Sequence, residues 1–355
     1  MREELVKLQQ QQGASFDEAS VPVTFGNDNR AIAAVTTGVA LCDRAHWGRI
    51  QLSDADCKMF LHNQTTNDCN RLQPGAGCLT LFVTSTARTI DLATAYILPE
   101  SVLVVVSPQR REFLMQWCDR YIFFGDKVKL DDVSDRTTLF SLVGPESSAL
   151  LQKLGVEVSV AAPINTHWVS AIAGAEVRVT VGSGLATEGY SLIVATDAAA
   201  AVWAALTEAG ACPLGDRAWE QLRIQQGRPM PDQELTDDYN AVEASLWQAI
   251  SLDKGCYIGQ ETIARLDTYK GVKQQLWGVR SATAIAPGMP ITLADEKVGV
   301  VTSVVQVADG YCGLGYIKTK AGGAGLTVHI GASEATVVEV PFLQRERLSA
   351  PAIAP

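Results

Sequence analysis

A chemical reading of this sequence turns on Cys256. It lies in Asp253-Lys254-Gly255-Cys256-Tyr257-Ile258-Gly259-Gln260-Glu261-Thr262-Ile263-Ala264-Arg265, a polar, glycine-punctuated stretch with apolar patterns on either side. Upstream, Val242, Leu246 and Ile250 recur every four residues and predict one face of a helix. Gly255 and Gly259 each disfavour helix by about 1 kcal/mol relative to alanine, so that helix is expected to stop here. Helix is predicted again from Gln260 to Leu266, with Glu261 in the first turn, where a carboxylate suits the positive end of the dipole. Cys256 is thus expected on a tight turn between two helices, just ahead of a helix N-terminus and two residues from Lys254. Both features favour a thiolate. The alternative is a small buried apolar residue, the role of most free cysteines.

Other reactive side chains are thinly spread. Cys42, Cys57, Cys69, Cys78, Cys118, Cys212 and Cys312 form no CxxC pair, with each other or with Cys256, so no metal-ligand spacing is visible. Free thiols and the absence of a recognisable secretory signal predict a reducing compartment, the cytoplasm. His46, His62, His167 and His329 lie far apart, and each is expected to be a surface or satisfied core residue. Gly182-Ser183-Gly184 lacks the helix and spacing of a dinucleotide site. A net charge of −10 argues against nucleic acid or an anionic membrane as the main partner. No apolar run is long enough to span a bilayer.

The elements that must position these residues follow from length and pattern. At 355 residues the chain is expected to hold two or three domains. A helix over 1–12 is ended by Gly13, and Val21–Phe25 and Ala31–Val39 read as extended pieces. Ser53 is predicted to cap a helix with Met59 and Phe60 on its apolar side. Strands are expected at 79–85, 92–98, 102–106, 127–130, 137–143, 176–181 and 190–195. Helices follow Pro108 and Gly144-Pro145. Two more are predicted, one capped by Thr196 and ended by Gly210, the other capped by Asp216 and ended by Gly227. The alternation of helices with antiparallel-looking strands predicts α+β layers. From Gly271 the periodicity becomes short and β-rich, at 275–280, 290–293, 297–306, 311–317, 326–330 and 335–341, which predicts a small barrel. The Ala-Pro tail is expected to be disordered.

Lys254-Gly255-Cys256-Tyr257-Ile258-Gly259-Gln260-Glu261 resembles the signature of YgfZ-type folate-binding proteins, relatives of the glycine-cleavage T-protein that assist iron–sulfur cluster assembly or repair. The similarity extends through Thr37–Ile50, Phe60–Asp68, Trp219–Pro229 and Asn240–Ala244, in the same order. The resemblance implies two interleaved α+β modules, 1–52 with 136–215 and 53–135 with 216–271, then a β barrel at 272–345 and a tail at 346–355. It implies a ring around a central channel that takes tetrahydrofolate or another reduced folate.

A pterin offers a donor edge that prefers a carboxylate, and a folate glutamate tail wants a cation. Arg88-Thr89-Ile90-Asp91-Leu92 resembles the family hairpin whose aspartate faces the folate, with Ala87 where the family has glycine; the alternative for Asp91 is an ordinary turn carboxylate. Tyr190, with Glu188 before it and Ser191 after, resembles the glycine–aromatic pair beside the pterin. Arg223 is the candidate for the tail, or else a salt-bridged helix edge. Gln260 and Glu261 could reach Cys256 or the channel, whereas Lys254 and Arg265 are either part of the site or solvated. Two functions follow from the resemblance. One is a folate-binding accessory protein acting transiently on iron–sulfur clients through Cys256. The other is a folate-dependent one-carbon transferase, an aminomethyltransferase or demethylase.

Overall fold

The computed structural model describes residues 2–159, 161–269 and 271–347. The chain divides into two compact units, 1–60 with 69–78 and 93–222, and 61–68 with 79–92 and 223–355. The tail expected to be disordered lies, from residue 348 on, outside the described residues.

The first unit is built on a six-stranded sheet in the order His167–Ile172, Ala175–Val181, Gly189–Ala195, Thr137–Val143, Ala40–Asp43, Cys212–Leu214. Every pair is antiparallel except the last, Cys212–Leu214 beside Ala40–Asp43. Alternate residues Val177 and Val179, Leu192 and Val194, Phe140 and Leu142 face one core, as the two-residue period of a strand requires. Helices Arg2–Gln11, Ser147–Lys153 and Ala199–Ala209 close it with Leu5, Leu150, Leu151, Trp203 and Leu206. A five-stranded sheet follows the order Gly77–Val83, Thr89–Ile97, Ser101–Val106, Gly48–Ser53, Lys129–Asp132. Along its first two strands the chain passes from one unit to the other.

The second unit ends in a closed six-stranded barrel. Its strands are Gln274–Ser281, Pro290–Leu293, Glu296–Val307, Gly310–Lys318, Thr327–Ile330 and Ser333–Val338, each at a position where sequence periodicity places one. Val279, Ile291, Val301, Ile317, Val328 and Val337 fill it. A separate apolar cluster of Leu81, Val83, Ala87, Leu92, Val242, Leu246, Tyr257 and Ile263 holds the signature segment. The α+β class with a C-terminal barrel is therefore the observed one.

Four local expectations are corrected. Ala31–Val39 is not extended: Asp28–Thr37 is a helix burying Ala31 and Val35 four residues apart. Strand His167–Ile172 was absent from the sequence pattern because its burial is mixed. The helix placed after Ser53 begins only at Cys57, and Ser53 closes a strand. The hydroxyl of Thr196 bonds to the Asp135 carbonyl instead of capping the helix that follows. Among the described residues, no helix is long and apolar enough to cross a membrane.

Candidate functional site

The segment before the signature is not the helix that its four-residue spacing suggests. Asn240 Oδ1 accepts the backbone N–H groups of Val242 and Glu243 at 3.0 and 2.9 Å, and Glu243 Oε2 accepts Asn240 N at 3.1 Å. This reciprocal exchange closes a single turn. Ser245 then takes φ of 57°, which a continuing helix forbids. Only the short 3-10 turn Trp247–Ala249 follows. Cys256 therefore precedes one helix, Gln260–Thr268, and does not stand between two.

The loop carrying Cys256 is tied down by its neighbours. Lys254 is buried, and its ammonium donates to the carbonyls of His62, Thr65 (2.6 Å) and Asn67 (2.8 Å). Those carbonyls lie at and just beyond the C-terminus of helix Cys57–Gln64, where backbone oxygens lack partners and negative potential collects. Ile258 N adds a bond to Asn63 O at 3.2 Å. The ammonium also stands 4.6 Å from the centre of the Tyr257 ring. Lys254 is thus neither solvated nor open to a ligand, since three carbonyls match its three donors. Gly259, with φ of +84°, lets the chain turn where a Cβ would meet Thr84 O at 2.8 Å and Val83 Cγ2 at 2.9 Å. The ring of Tyr257 is buried, which pushes its pKa up to about 12, and its hydroxyl has no hydrogen-bond partner among the described residues.

Cys256 is the exposed member of the eight cysteines; six are buried and Cys78 is intermediate. Beside it, a Cβ on Gly255 would lie 3.9 Å from His62 Nε2. The other ring nitrogen, Nδ1, is 3.3 Å from Asp68 Oδ1. Burial lowers the His62 pKa and Lys254 adds to the effect, while Asp68 opposes it. Sequence reading did not select His62, because its contact with residue 255 is purely tertiary. Gln260 is half-buried at the start of the helix. Glu261 is exposed and ion-paired with Arg265 one turn on.

Asp91, within strand Thr89–Ile97, is fully buried and is not an open turn carboxylate. The turn before it keeps a left-handed residue, Ala87 with φ of 61°, despite the lost glycine. Arg88 donates to Asp238 O at 2.7 Å and lies 3.9 Å from Glu243, whose carboxyl pKa burial raises.

Two expected ligands are held elsewhere. Arg223 is fully buried, ion-paired to Glu234 at 2.9 Å and hydrogen-bonded to Gln233 and to the Ser303 hydroxyl. Glu234 in turn accepts Met230 N at 3.1 Å and the Thr302 hydroxyl at 2.7 Å. A buried pair completed by so many hydrogen bonds has no guanidinium to offer a folate tail. Tyr190 belongs to the core of the first unit, with its hydroxyl 2.9 Å from Ser148 Oγ. Glu188 is exposed in that unit.

Residues 5–254 match the family described as GCVT N-terminal domain. A chloroplastic protein of Arabidopsis thaliana named a candidate transferase is 43% identical over 94% of this chain and 78% of its own length. The aminomethyltransferase of Geobacillus kaustophilus is 29% identical over 94% of both chains. The crystal structure of glycine cleavage system aminomethyltransferase T from Bartonella henselae superposes with a TM-score of 0.84, covering 96% of this chain and 98% of that one at 19% identity, a likeness of fold. The sequence match and this common architecture agree: the chain belongs to the GCVT-domain, aminomethyltransferase-like family.

Proposed function

We propose that this protein binds tetrahydrofolate or another reduced folate and serves iron–sulfur cluster assembly or repair as an accessory factor, with Cys256 as its reactive thiol. The observation that carries this reading is the presentation of Cys256, the exposed thiol of the eight, on a loop whose backbone is clamped by Lys254. A fixed, accessible thiol suits transient contact with a client protein. A buried structural cysteine would not. Free thiols throughout fit a reducing compartment such as the cytoplasm.

The residues fit a folate in part. Asp91 supplies a buried carboxylate for an amino-pyrimidine edge, and Gln260 a half-buried amide. Arg223 and Lys254 supply no cation for the glutamate tail, because both are engaged internally. A second reading, a one-carbon transferase, is favoured by the names of relatives matching nearly the whole chain.

Calorimetric titration with tetrahydrofolate, on the wild type and on Asp91→Asn, tests the folate reading. Binding by the wild type and loss in the variant support it, and no heat with any reduced folate overturns both readings. Turnover of tetrahydrofolate with an amine substrate would select the transferase. A Cys256→Ala protein that fully restores iron–sulfur enzyme activity in cells would remove the thiol role.

A further inference from the structure

The first unit contains a cavity of about 610 Å³ lined by Arg2, His46, Trp47, Thr137, Thr138 and Thr196, among others. A volume of that order suits a small metabolite. The cations on its wall are unequally engaged. Arg111 is ion-paired to Asp132 at 3.1 Å and stands 3.8 Å from both Glu112 and Asp135, whose side chains are largely exposed. Arg2 forms no ion pair among the described residues. One of its terminal nitrogens donates to Ser20 O at 3.1 Å, and its Nε is buried without a hydrogen-bond partner among the described residues. A guanidinium so placed calls for an anion.

Elsewhere on this wall protons are spent and acceptors are left over. Thr137 donates to Val133 O at 2.7 Å, Thr138 to the Thr196 hydroxyl at 3.5 Å, and Thr196 to Asp135 O at 3.1 Å. A hydroxyl that has given its one proton away still offers lone pairs, although Arg49 Nε takes one of those on Thr137 at 2.9 Å. His46 adds an acceptor. Burial, then Arg44 and Arg2, keeps it uncharged at neutral pH, and its Nε2 faces Asp216 Oδ1 at 3.6 Å, so the ring proton belongs on Nε2. Nδ1 is then a lone-pair acceptor, buried and without a hydrogen-bond partner among the described residues. Arg44, Arg2 and Arg49 act on the ring against Asp17, and their charge disfavours a further cation beside it. The donor suited to Nδ1 is therefore a hydroxyl and not an ammonium.

We propose that this cavity binds a polyhydroxylated organic acid of the sugar-acid class, its carboxylate held by Arg2 and its hydroxyls donated to His46 and the threonines. The inference goes beyond the folate reading and does not rest on it, since neither Asp91 nor Gln260 lines the cavity.

The test is calorimetric titration of the full chain with D-gluconate, hexanoate and sorbitol. Hexanoate keeps the carboxylate and the chain length without the hydroxyls, and sorbitol keeps the hydroxyls without the charge. Gluconate is expected to bind at least about tenfold more tightly than either. Arg2→Gln is expected to weaken gluconate about tenfold, and Arg2→Lys, which keeps the charge, to recover part of that loss. The bond from Arg2 to Ser20 is exposed, so neither substitution threatens the fold. His46→Phe removes the acceptor and is expected to bring gluconate down toward hexanoate; if its thermal melt shows it unfolded, the Arg2 pair decides. The proposal is overturned by no heat with gluconate, by gluconate no tighter than hexanoate or sorbitol, or by equal gluconate affinity in the wild type and Arg2→Gln. The titration contains no folate, so its failure leaves the folate reading standing, and a failed folate titration leaves this one.

Discussion

Each unit of this chain holds a histidine–carboxylate pair, and the two differ in what surrounds them. In the first unit His46 Nε2 is 3.6 Å from Asp216 Oδ1. Burial, then Arg44, Arg2 and Arg49, lowers the His46 pKa to about 3, with Asp17 opposing. Burial, then Glu220 and Asp17, raises Asp216 to about 6, with Arg44 opposing. Each partner is pushed toward its uncharged form. The thiol within electrostatic reach, Cys42, is fully buried, and burial with Asp216 holds its pKa well above the ordinary value. In the second unit His62 is pushed the same way by burial and Lys254, but a Cβ on Gly255, next to the exposed Cys256, would lie 3.9 Å from its Nε2. The same two side chains stand beside a sealed thiol in one unit and beside an open thiol-bearing loop in the other. What differs is whether a thiol can reach solvent.

The largest effect expected from breaking this contrast is at Lys254. Lys254→Met strips the carbonyls of His62, Thr65 and Asn67 of their common donor. An unsatisfied buried carbonyl costs about 1–3 kcal/mol, so a loss of about 3–5 kcal/mol is expected in urea unfolding. A loss under about 1 kcal/mol would mean that the clamp does not fix the Cys256 loop.

Next comes the pH response of the His46 pair. Folded His46 takes its proton only near about 3, whereas an unfolded histidine does so near ~6.5. The folded state binds fewer protons between those values, so stability is full above ~6.5 and falls as the solution is acidified toward about 3. The loss attributable to His46 is about 2–3 kcal/mol at a pH of about 4. His46→Gln should flatten the dependence of Tm on pH between 7 and 4. An unchanged slope would show that His46 is charged at little cost.

Asp216 runs in the opposite sense and is smaller. Its folded pKa, raised to about 6, exceeds the ordinary ~3.9, so stability present below ~4 is lost as pH rises through about 6. The side chain is 42% exposed, and solvent screening reduces the effect to about 1 kcal/mol. Asp216→Asn should therefore stabilise the protein by about 1 kcal/mol at pH 7 and leave it unchanged at pH 4, read from thermal melts at both values.

How much of this was legible in the sequence depends on how local the cause is. The barrel strands could be read because their alternation and their glycine breaks are properties of the strands themselves. Asp28–Thr37 could not, because Ile32, Val35, Thr36 and Thr37 look like a strand until tertiary packing selects the helical face of Ala31 and Val35. The segment 240–250 has helical spacing, but the Asn240 side chain offers the backbone a competing set of bonds. At the site, the exposure of Cys256 is consistent with its glycine-rich loop. Arg223 was left between a folate tail and a salt bridge, and Lys254 between the site and solvent, because a sequence shows a charge without the buried acceptors that claim it. His62 was hidden for a related reason: nearly two hundred residues separate it from the loop it faces.

The smallest effect tests whether the Cys256 side also carries backbone strain. Ala87 sits at φ of 61° in the turn that Thr84 and Arg88 close, and Gly259, three residues after Cys256, packs against it. A left-handed alanine costs about 1–2 kcal/mol, and glycine returns about 0.5–1 kcal/mol of that through its freer unfolded chain. Ala87→Gly should therefore raise the urea midpoint by the equivalent of about 0.5–1 kcal/mol, with the slope m unchanged. A lower midpoint would mean that the buried Ala87 methyl, packed among Leu81, Val83 and Leu92, outweighs the strain. In that case the turn is held by apolar contact, and the loop ahead of Gly259 rests on an unstrained support.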